Sequence, residues 1–447
     1  MREWIQIAGA TRGRPPADEH AGAGDLGAVP RADPYERRQV QARGQHRGAG
    51  GDDPSGEGNP FAHRVESLYV DTMLLVAALL LLAAPLVPLP AQPAGVAWPT
   101  HQWPTNPVPA GVDRAALSKL LDDVDRVDDF FGETRAVVLV QGGRLIAQRY
   151  RDGYGPGTRL VSWSMAKSIA QALVGIAARQ GKLDPDRPMG NPRWPPGDPR
   201  AAIPWRQWLQ MVDGQAYREI GVKNPAESDA AKMLFGKGRL DAAGYAAGLP
   251  LIRRPGEHWN YNSAATILVA EALTRAIAPE AVTPDARRSA MRAFMRRELF
   301  DRIGMASAQP EFDASGTFLG SALVYATAMD FARFGYLYLR DGVWEGSRVL
   351  PEGWVDFARS TAPGSDANIY GAGFWIAPED GHPRPPYGSA ILAPRGSFQA
   401  QGFEGQITLI VPSKDLVLVR LGHMPERGWR ALSRWAASVV SLFPDAR

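Results

Sequence analysis

The chain has no cysteine among its 447 residues. That excludes a disulfide scaffold, a thiolate zinc site and a cysteine nucleophile, and it fits either redox compartment. Charge of one sign is lacking too: 50 Lys and Arg against 47 Asp and Glu leave only +3. With no long basic run, nucleic acid is a poor partner. The scarcest charged residue is Lys, which supplies seven of the 50 cations against 43 Arg. Arg does not give up its proton in a protein, so each Lys here stands out as a candidate base. An apolar fraction of 45% and a charged fraction of 22% are near globular averages, which argues against a wholly disordered, collagen-like or multi-spanning chain. At about 100–200 residues per domain, the length allows two or three units.

Residues 1–72 contain no Lys, much Gly, Pro and Arg, and no sustained apolar period. This composition predicts a disordered N-terminal extension. Met73–Leu89 (MLLVAALLLLAAPLVPL) is an uncharged apolar run, short of the roughly 20 residues of a spanning helix and suited to a signal segment or a single anchor. It predicts export, with the rest of the chain periplasmic, extracellular, or anchored to the cytoplasmic membrane and facing outward. Met73 is also an alternative start. A Pro-rich linker is expected over 90–112, with small residues near Ala91 and Ala97 suited to cleavage, and a single catalytic unit over 113–447.

Within that unit, 113–127 has helical spacing. AVVLVQGGRLIAQRY (136–150) reads as a hairpin turning at Gly142-Gly143, and 164–180 as an apolar helix ending at Gly181. Pro-rich loops and helices, among them 263–277 and 287–300, form a mostly helical lobe over about 183–330. β character returns at 370–376 and 406–422 before a final helix. Strands at both ends around a helical middle predict an α+β fold in which the two ends share one sheet.

The chemistry concentrates at Ser164-Met165-Ala166-Lys167. Residues three apart share a helix face, so hydroxyl and amine can meet. Free N–H groups in the first turn favour a developing oxyanion. A desolvated Lys can be neutral enough to activate Ser, which Arg cannot do. With 21 Ser and seven Lys, about 0.3 Ser-x-x-Lys pairs are expected by chance, and this is the one present. Tyr261 follows a turn, Pro255-Gly256-Glu257-His258-Trp259-Asn260, from which its phenol can point inward. Gly402-Phe403-Glu404-Gly405-Gln406 opens a strand and can offer a backbone N–H at its edge.

In this order these motifs resemble the serine β-lactamase and penicillin-binding-protein superfamily, in its class C-like serine hydrolase branch. The likeness covers about residues 113–445. It is carried by Ser-Trp-Ser-Met-Ala-Lys-Ser (162–168), Pro-Gly-x-x-Trp-x-Tyr-Asn-Ser (255–263), Asp-Phe-Ala-Arg-Phe-Gly (330–335) and Gly-Phe-Glu-Gly-Gln (402–406). The first looks closest to the 6-aminohexanoate-dimer hydrolase group. The resemblance implies a five-stranded antiparallel sheet flanked by helices beside a helical lobe. It also implies that Ser164 is the nucleophile, Lys167 the general base and Tyr261 a second acid or base, with the oxyanion hole formed by the N–H groups of Ser164 and Gln406. The expected reaction is acyl transfer to Ser164 followed by hydrolysis of a small ester or amide, with no cofactor. No His pair has metal-ligand spacing. A Ser-His-Asp triad drawing on His258, His382 or His423 is a weaker alternative, since no Gly-x-Ser-x-Gly is present.

One departure narrows the substrate. Where β-lactamases and DD-peptidases usually begin the third motif with Lys, or sometimes His, this chain has Phe403 and Glu404 and no cation. Phe403, Glu404 and Gly405 are expected to line the cleft with Tyr217 and Glu219, and an acidic side chain disfavours anionic ligands. Arg395 could restore a positive charge if its loop folds inward. Neutral esters, or linear amides ending in an ammonium, suit the site better than β-lactams or D-Ala-terminated peptides. The Val212-Asp213-Gly214 segment replaces the family's Thr-Ser-Gly, so Asp213 carries no implied role. The runner-up readings are a non-catalytic sensor of cell-wall fragments and a DD-peptidase or β-lactamase.

Overall fold

In the computed structural model, the described residues are 85–122, 127–128, 131–365, 368–377 and 392–446. All belong to one unit, Ala83–Arg447. The expectations for 1–72 and for the start of the apolar run, 73–84, lie outside them.

The chain begins its ordered course as a strap. Residues 90–112, expected as a linker, lie along the domain, and so do 85–89. Their carbonyls are met by arginines: Pro85 by Arg395 at 3.1 Å, Val87 by Arg359 at 2.6 Å, Pro90 by Arg340 at 3.1 Å and Pro99 by Arg333 at 2.7 Å. Proline-rich backbone lacks donors but keeps its acceptors, which is why donor-rich Arg holds it. Arg395 is thus engaged with this strap.

Helix α1 (Arg114–Leu121), capped by Asp113, leads into the sheet. Its strands are β1 (Val127–Asp128), β2 (Gly132–Gln141) and β3 (Arg144–Tyr150) from the first end of the unit. Short strands β4 (Leu160–Val161), β5 (Gln309–Pro310) and β6 (Val324–Ala326) form a separate small sheet, and β7 (Val343–Trp344) with β8 (Ser347–Arg348) a hairpin. The second end supplies β9 (Trp375–Ile376), β10 (Phe398–Gly402), β11 (Gln406–Val411) and β12 (Leu416–His423). The main sheet is antiparallel in the order β3-β2-β12-β11-β10, extended by the two-residue strands β1 and β9. The five long strands match the expected number. Of the 370–376 segment only Trp375–Ile376 is strand, while β10 had no counterpart in the sequence reading. The predicted turn at Gly142 and Gly143 is present, both with positive φ.

Both faces of the sheet are covered. On β2, Ala136, Val138 and Val140 join one core, while Val137 and Leu139 join a second with Leu418 and the final helix α10 (Trp429–Ser441). Side chains alternate between faces along a strand, so burial of both faces accounts for the unbroken AVVLV run. The helices between are α2 (Ala166–Arg179), α3 (Trp205–Leu209), α4 (Asp229–Leu234), α5 (Ala242–Ala247), α6 (Ser263–Ile277), α7 (Pro284–Met295), α8 (Ala328–Leu339) and α9 (Trp354–Arg359). A Cβ on Gly335 of α8 would sit 2.6 Å from Thr408 Cγ2. Glycine therefore lets α8 lie directly on β11. In the same motif Asp330 holds Arg333 at 2.7 Å and Ser307 N at 2.9 Å, so its role is architectural.

Candidate active site

Ser164 sits in a 3-10 turn, Trp163–Met165, that runs straight into α2. Two features set the turn. Ser162 is pinned to β6, its N–H donating to Val324 O at 2.8 Å and its Oγ accepting from Val324 N at 3.1 Å. Trp163 then adopts φ of +43°, a left-handed conformation that costs a non-glycine residue on the order of 1–3 kcal/mol.

Lys167, one turn later, is 2% exposed. Its Nζ reaches Ser164 Oγ at 2.9 Å, Ser263 Oγ at 2.8 Å and the carbonyl oxygen of Ser321 at 2.8 Å. An ammonium spends all three hydrogens this way. The carbonyl can only accept, so it holds one hydrogen in either protonation state. Loss of a proton then leaves the nitrogen lone pair free to face Ser164. Burial lowers the Lys167 pKa from 10.5 to about 8, and the charge of Glu219 opposes this.

Tyr261 is brought in by the extended segment before α6. Its ring lies under Lys167 Nζ, 4.8 Å from the centroid, and is stacked on Trp375 at 5.3 Å. Burial first, then Tyr370 and Glu219, push its phenol well above the ordinary value, while a hydrogen bond with Ser164 pulls it down. It remains a proton carrier at neutral pH. The same segment places Asn262 as the cap of α6, accepting from Ala265 N at 3.1 Å. Asn262 in turn donates to Asp213 Oδ1 at 3.0 Å. Burial raises the Asp213 pKa to about 6, so the residue supports the scaffold behind the site.

Glu219 Oε2 accepts from Tyr217 Oη at 3.0 Å and from Ser263 N at 3.3 Å, at the N-terminus of α6, where a carboxylate is favoured. Tyr217 and Glu219 therefore stand beside Ser263, a partner of Lys167.

The third motif is divided between two surroundings. Gly402 faces the nucleophile turn: a Cβ there would lie 2.2 Å from Ser162 O. The exposed ring of Phe403 meets Trp163 edge-on at 5.6 Å. Glu404 points elsewhere, its Oε1 3.1 Å from His423 Nδ1, and Gly405 lies over Arg420. Gln406 is 1% exposed, and its side chain is tied to Gly422 and to Phe403 O. The strand backbone that abuts the Ser164 turn is thus Gly402–Phe403, three to four residues before the expected Gln406. Among the described residues, His423 is engaged with Glu404, and Ser164 is partnered by Lys167 and Tyr261; His382 lies outside the described residues.

Sequence reading missed Ser263 and Ser321 as partners of Lys167. Ser263 closes the Tyr-Asn-Ser motif and was open to detection. Ser321 contributes only a backbone carbonyl, which leaves no residue-type signal.

A serine with a buried lysine and tyrosine, at the junction of an antiparallel sheet and a helical lobe, defines a serine hydrolase of the β-lactamase superfamily. The comparisons agree: the Beta-lactamase family model matches residues 127–439, and the chain belongs to that family. It is 28% identical over 357 residues to a 6-aminohexanoate-dimer hydrolase of Paenarthrobacter ureafaciens, covering 77% of this chain and 86% of that protein. Among solved structures it is similar in fold to a candidate 6-aminohexanoate-dimer hydrolase from Bacillus anthracis (TM-score 0.57, 20% identity, 79% of this chain and 90% of that one). A penicillin-binding-protein homologue from Caulobacter crescentus is also similar in fold (TM-score 0.52, 15% identity, 74% and 99%).

Proposed function

We propose that the protein hydrolyses a linear amide or a neutral ester through an acyl-enzyme on Ser164. The observation that carries this reading is the 2.9 Å contact between Ser164 Oγ and a lysine whose pKa is lowered to about 8. The neutral amine of Lys167 takes the Ser164 proton as Oγ attacks the carbonyl carbon. The phenol of Tyr261, kept protonated, delivers a proton to the departing amine or alkoxide; its phenolate then draws one from the water that releases the acyl group, while the Lys167 ammonium returns its proton to Ser164 Oγ. The oxyanion is held by the N–H of Ser164 and by that of Phe403. The position of Gly402 supports Phe403 for this part in place of Gln406.

Substrate preference follows from charge. Lys167 is committed to the serine, and the 402–406 segment has no cation facing the nucleophile turn. Glu219 leaves its Oε1 for a donor, which suits an ammonium-ended linear amide, the class named for the Paenarthrobacter relative. An exported setting belongs to the same reading, supported by the apolar run 73–89 of the sequence.

The test is incubation of the protein with p-nitrophenyl butyrate, a linear 6-aminohexanoate dimer, nitrocefin and an active-site phosphonate, beside Ser164→Ala. Turnover of the ester or dimer with a phosphonate adduct on Ser164, both lost in the variant, is expected. Equal behaviour of the two proteins would refute the mechanism. Efficient nitrocefin hydrolysis would move the substrate to β-lactams, and tight ligand binding without turnover would make the protein a sensor.

A further inference from the structure

Arg420, on β12, is the most deeply buried cation among the described residues and has no part in the chemistry above. It is wholly buried, and its guanidinium meets no carboxylate directly. Its donors are spread over one hydroxyl and four carbonyls: Nε to Thr134 Oγ1 at 3.0 Å, Nη1 to Glu404 O and Gly405 O at 3.1 Å each, and Nη2 to Glu133 O at 3.1 Å and Phe131 O at 3.4 Å. A buried charge with no carboxylate in direct contact is costly even where the charges of Glu133 and Glu404 favour it, and an apolar residue of similar volume would ordinarily serve stability as well or better. Something other than packing therefore accounts for it.

The geometry of the 402–406 turn supplies the reason. Glu404 has φ of +63° and Gly405 of +81°, so the turn is held in a conformation that L-residues seldom adopt. A Cβ on Gly405 would sit 2.7 Å from Arg420 Nη1, and one on Gly422 would sit 2.9 Å from its Cζ. Both glycines make room for the guanidinium. Gln406 completes the grip: its Nε2 donates to Phe403 O at 3.0 Å and to Gly422 O at 2.7 Å. The carbonyls of three successive residues, Phe403, Glu404 and Gly405, are thus drawn to side chains beneath the turn. The held Phe403 carbonyl shares its peptide plane with the Phe403 Cα and the Glu404 N–H, so the grip fixes the Cα from which the Phe403 N–H projects.

We infer that Arg420, with Gln406, is a positioning residue that sets the 402–406 turn so that the Phe403 N–H is aimed at the oxyanion formed on Ser164. This rests on the acyl-enzyme reading above. Catalysis by such donors depends on their being placed before the charge develops, so a loosened turn weakens transition-state binding more than substrate binding.

The experiment compares wild type with Arg420→Lys, Arg420→Met and Gln406→Ala in ester hydrolysis, in the rate of phosphonate labelling of Ser164, and in Tm. The expected result is a fall of about 10²–10³-fold in kcat for Arg420→Met, the scale of losing one oxyanion donor, with KM changed less than about threefold. Phosphonate labelling should slow in parallel, with Gln406→Ala and Arg420→Lys intermediate. Lys retains the charge but not the planar fork, so partial rescue separates placement of carbonyls from charge alone. Should Arg420→Met not fold, the Lys and Gln406 variants still decide the matter. Variants that lose Tm while keeping wild-type kcat and labelling in the folded fraction would overturn the inference. Wild type lacking Ser164-dependent turnover would refute the acyl-enzyme reading first, and this inference with it.

Discussion

Lys167 Nζ stands 2.9 Å from Ser164 Oγ, and the turn leading into α2 that brings them together also keeps the amine out of water. Its pKa is lowered to about 8 by that burial, and the reactive form is the neutral one. The rate kcat/KM should therefore climb about tenfold per pH unit below 8 and level off above it. Lys167→Arg should be as inactive as Lys167→Ala, each losing at least about 10²–10⁴-fold. A pH–rate profile checks both, and an Arg variant near wild-type activity would refute the role. Stability carries the same signature. Between about pH 8 and 10.5 the unfolded chain holds a proton that the folded chain does not, so stability should rise with pH there and do so less in Lys167→Met.

Ser263→Ala removes one of the three acceptors of the Lys167 ammonium. The charged form loses more than the neutral one, so the Lys167 pKa should drop further and the acid limb of the pH profile should move to lower pH. Because the amine also loses an anchor, the plateau rate should fall severalfold. An unchanged or upward-shifted limb would show that Ser263 does not act on the amine.

How far the sequence revealed all this depends on how local each feature is. Ser164 and Lys167 lie three residues apart, and helix geometry brings them together without knowledge of the rest of the fold. The shared sheet was legible because β2, β11 and β12 are continuous apolar runs at the two ends of the unit. The strap was not: proline-rich sequence reads as linker, and only the arrival of Arg333, Arg340, Arg359 and Arg395 from distant parts of the chain shows that it is held. The proposed oxyanion donor, Phe403, stands three residues before the expected Gln406 for a related reason. Gly-Phe-Glu-Gly-Gln reveals a turn but not which peptide faces Ser162, a question decided by β10, which the sequence reading did not find.

Asp213 offers a test of scaffold against chemistry. Its carboxyl is buried, with its pKa raised from 3.8 to about 6, so between about pH 4 and 6 the folded chain binds more protons than the unfolded one. Stability contributed there falls as pH rises. In Asp213→Asn the side-chain oxygen is retained as acceptor for Gln215 N and Asn262 Nδ2, both at 3.0 Å in the wild type, and the charge is gone. The variant should be more stable than wild type at pH 7.5 by on the order of 1–3 kcal/mol, with the difference vanishing near pH 4 and kcat within about threefold. Denaturant melts at the two pH values decide this. Loss of stability at pH 7.5 would mean that the carboxylate charge is needed.

Tyr261→Phe separates the two proton transfers. The phenol shares a hydrogen bond with Ser164, yet its pKa is pushed well above the ordinary value by burial, which makes it a poor base for the serine and a competent donor to a leaving group. An amine must be protonated as it departs, whereas p-nitrophenolate leaves unaided. Loss of the hydroxyl should therefore slow amide hydrolysis by about 10²–10⁴-fold while Ser164 acylation by p-nitrophenyl butyrate stays within about tenfold of wild type. The stack with Trp375 keeps the ring in place, so the comparison is not confounded by repacking. Burst kinetics with the ester and steady-state rates with a linear amide give the two numbers, and equal losses in both would assign Tyr261 to activation of the serine.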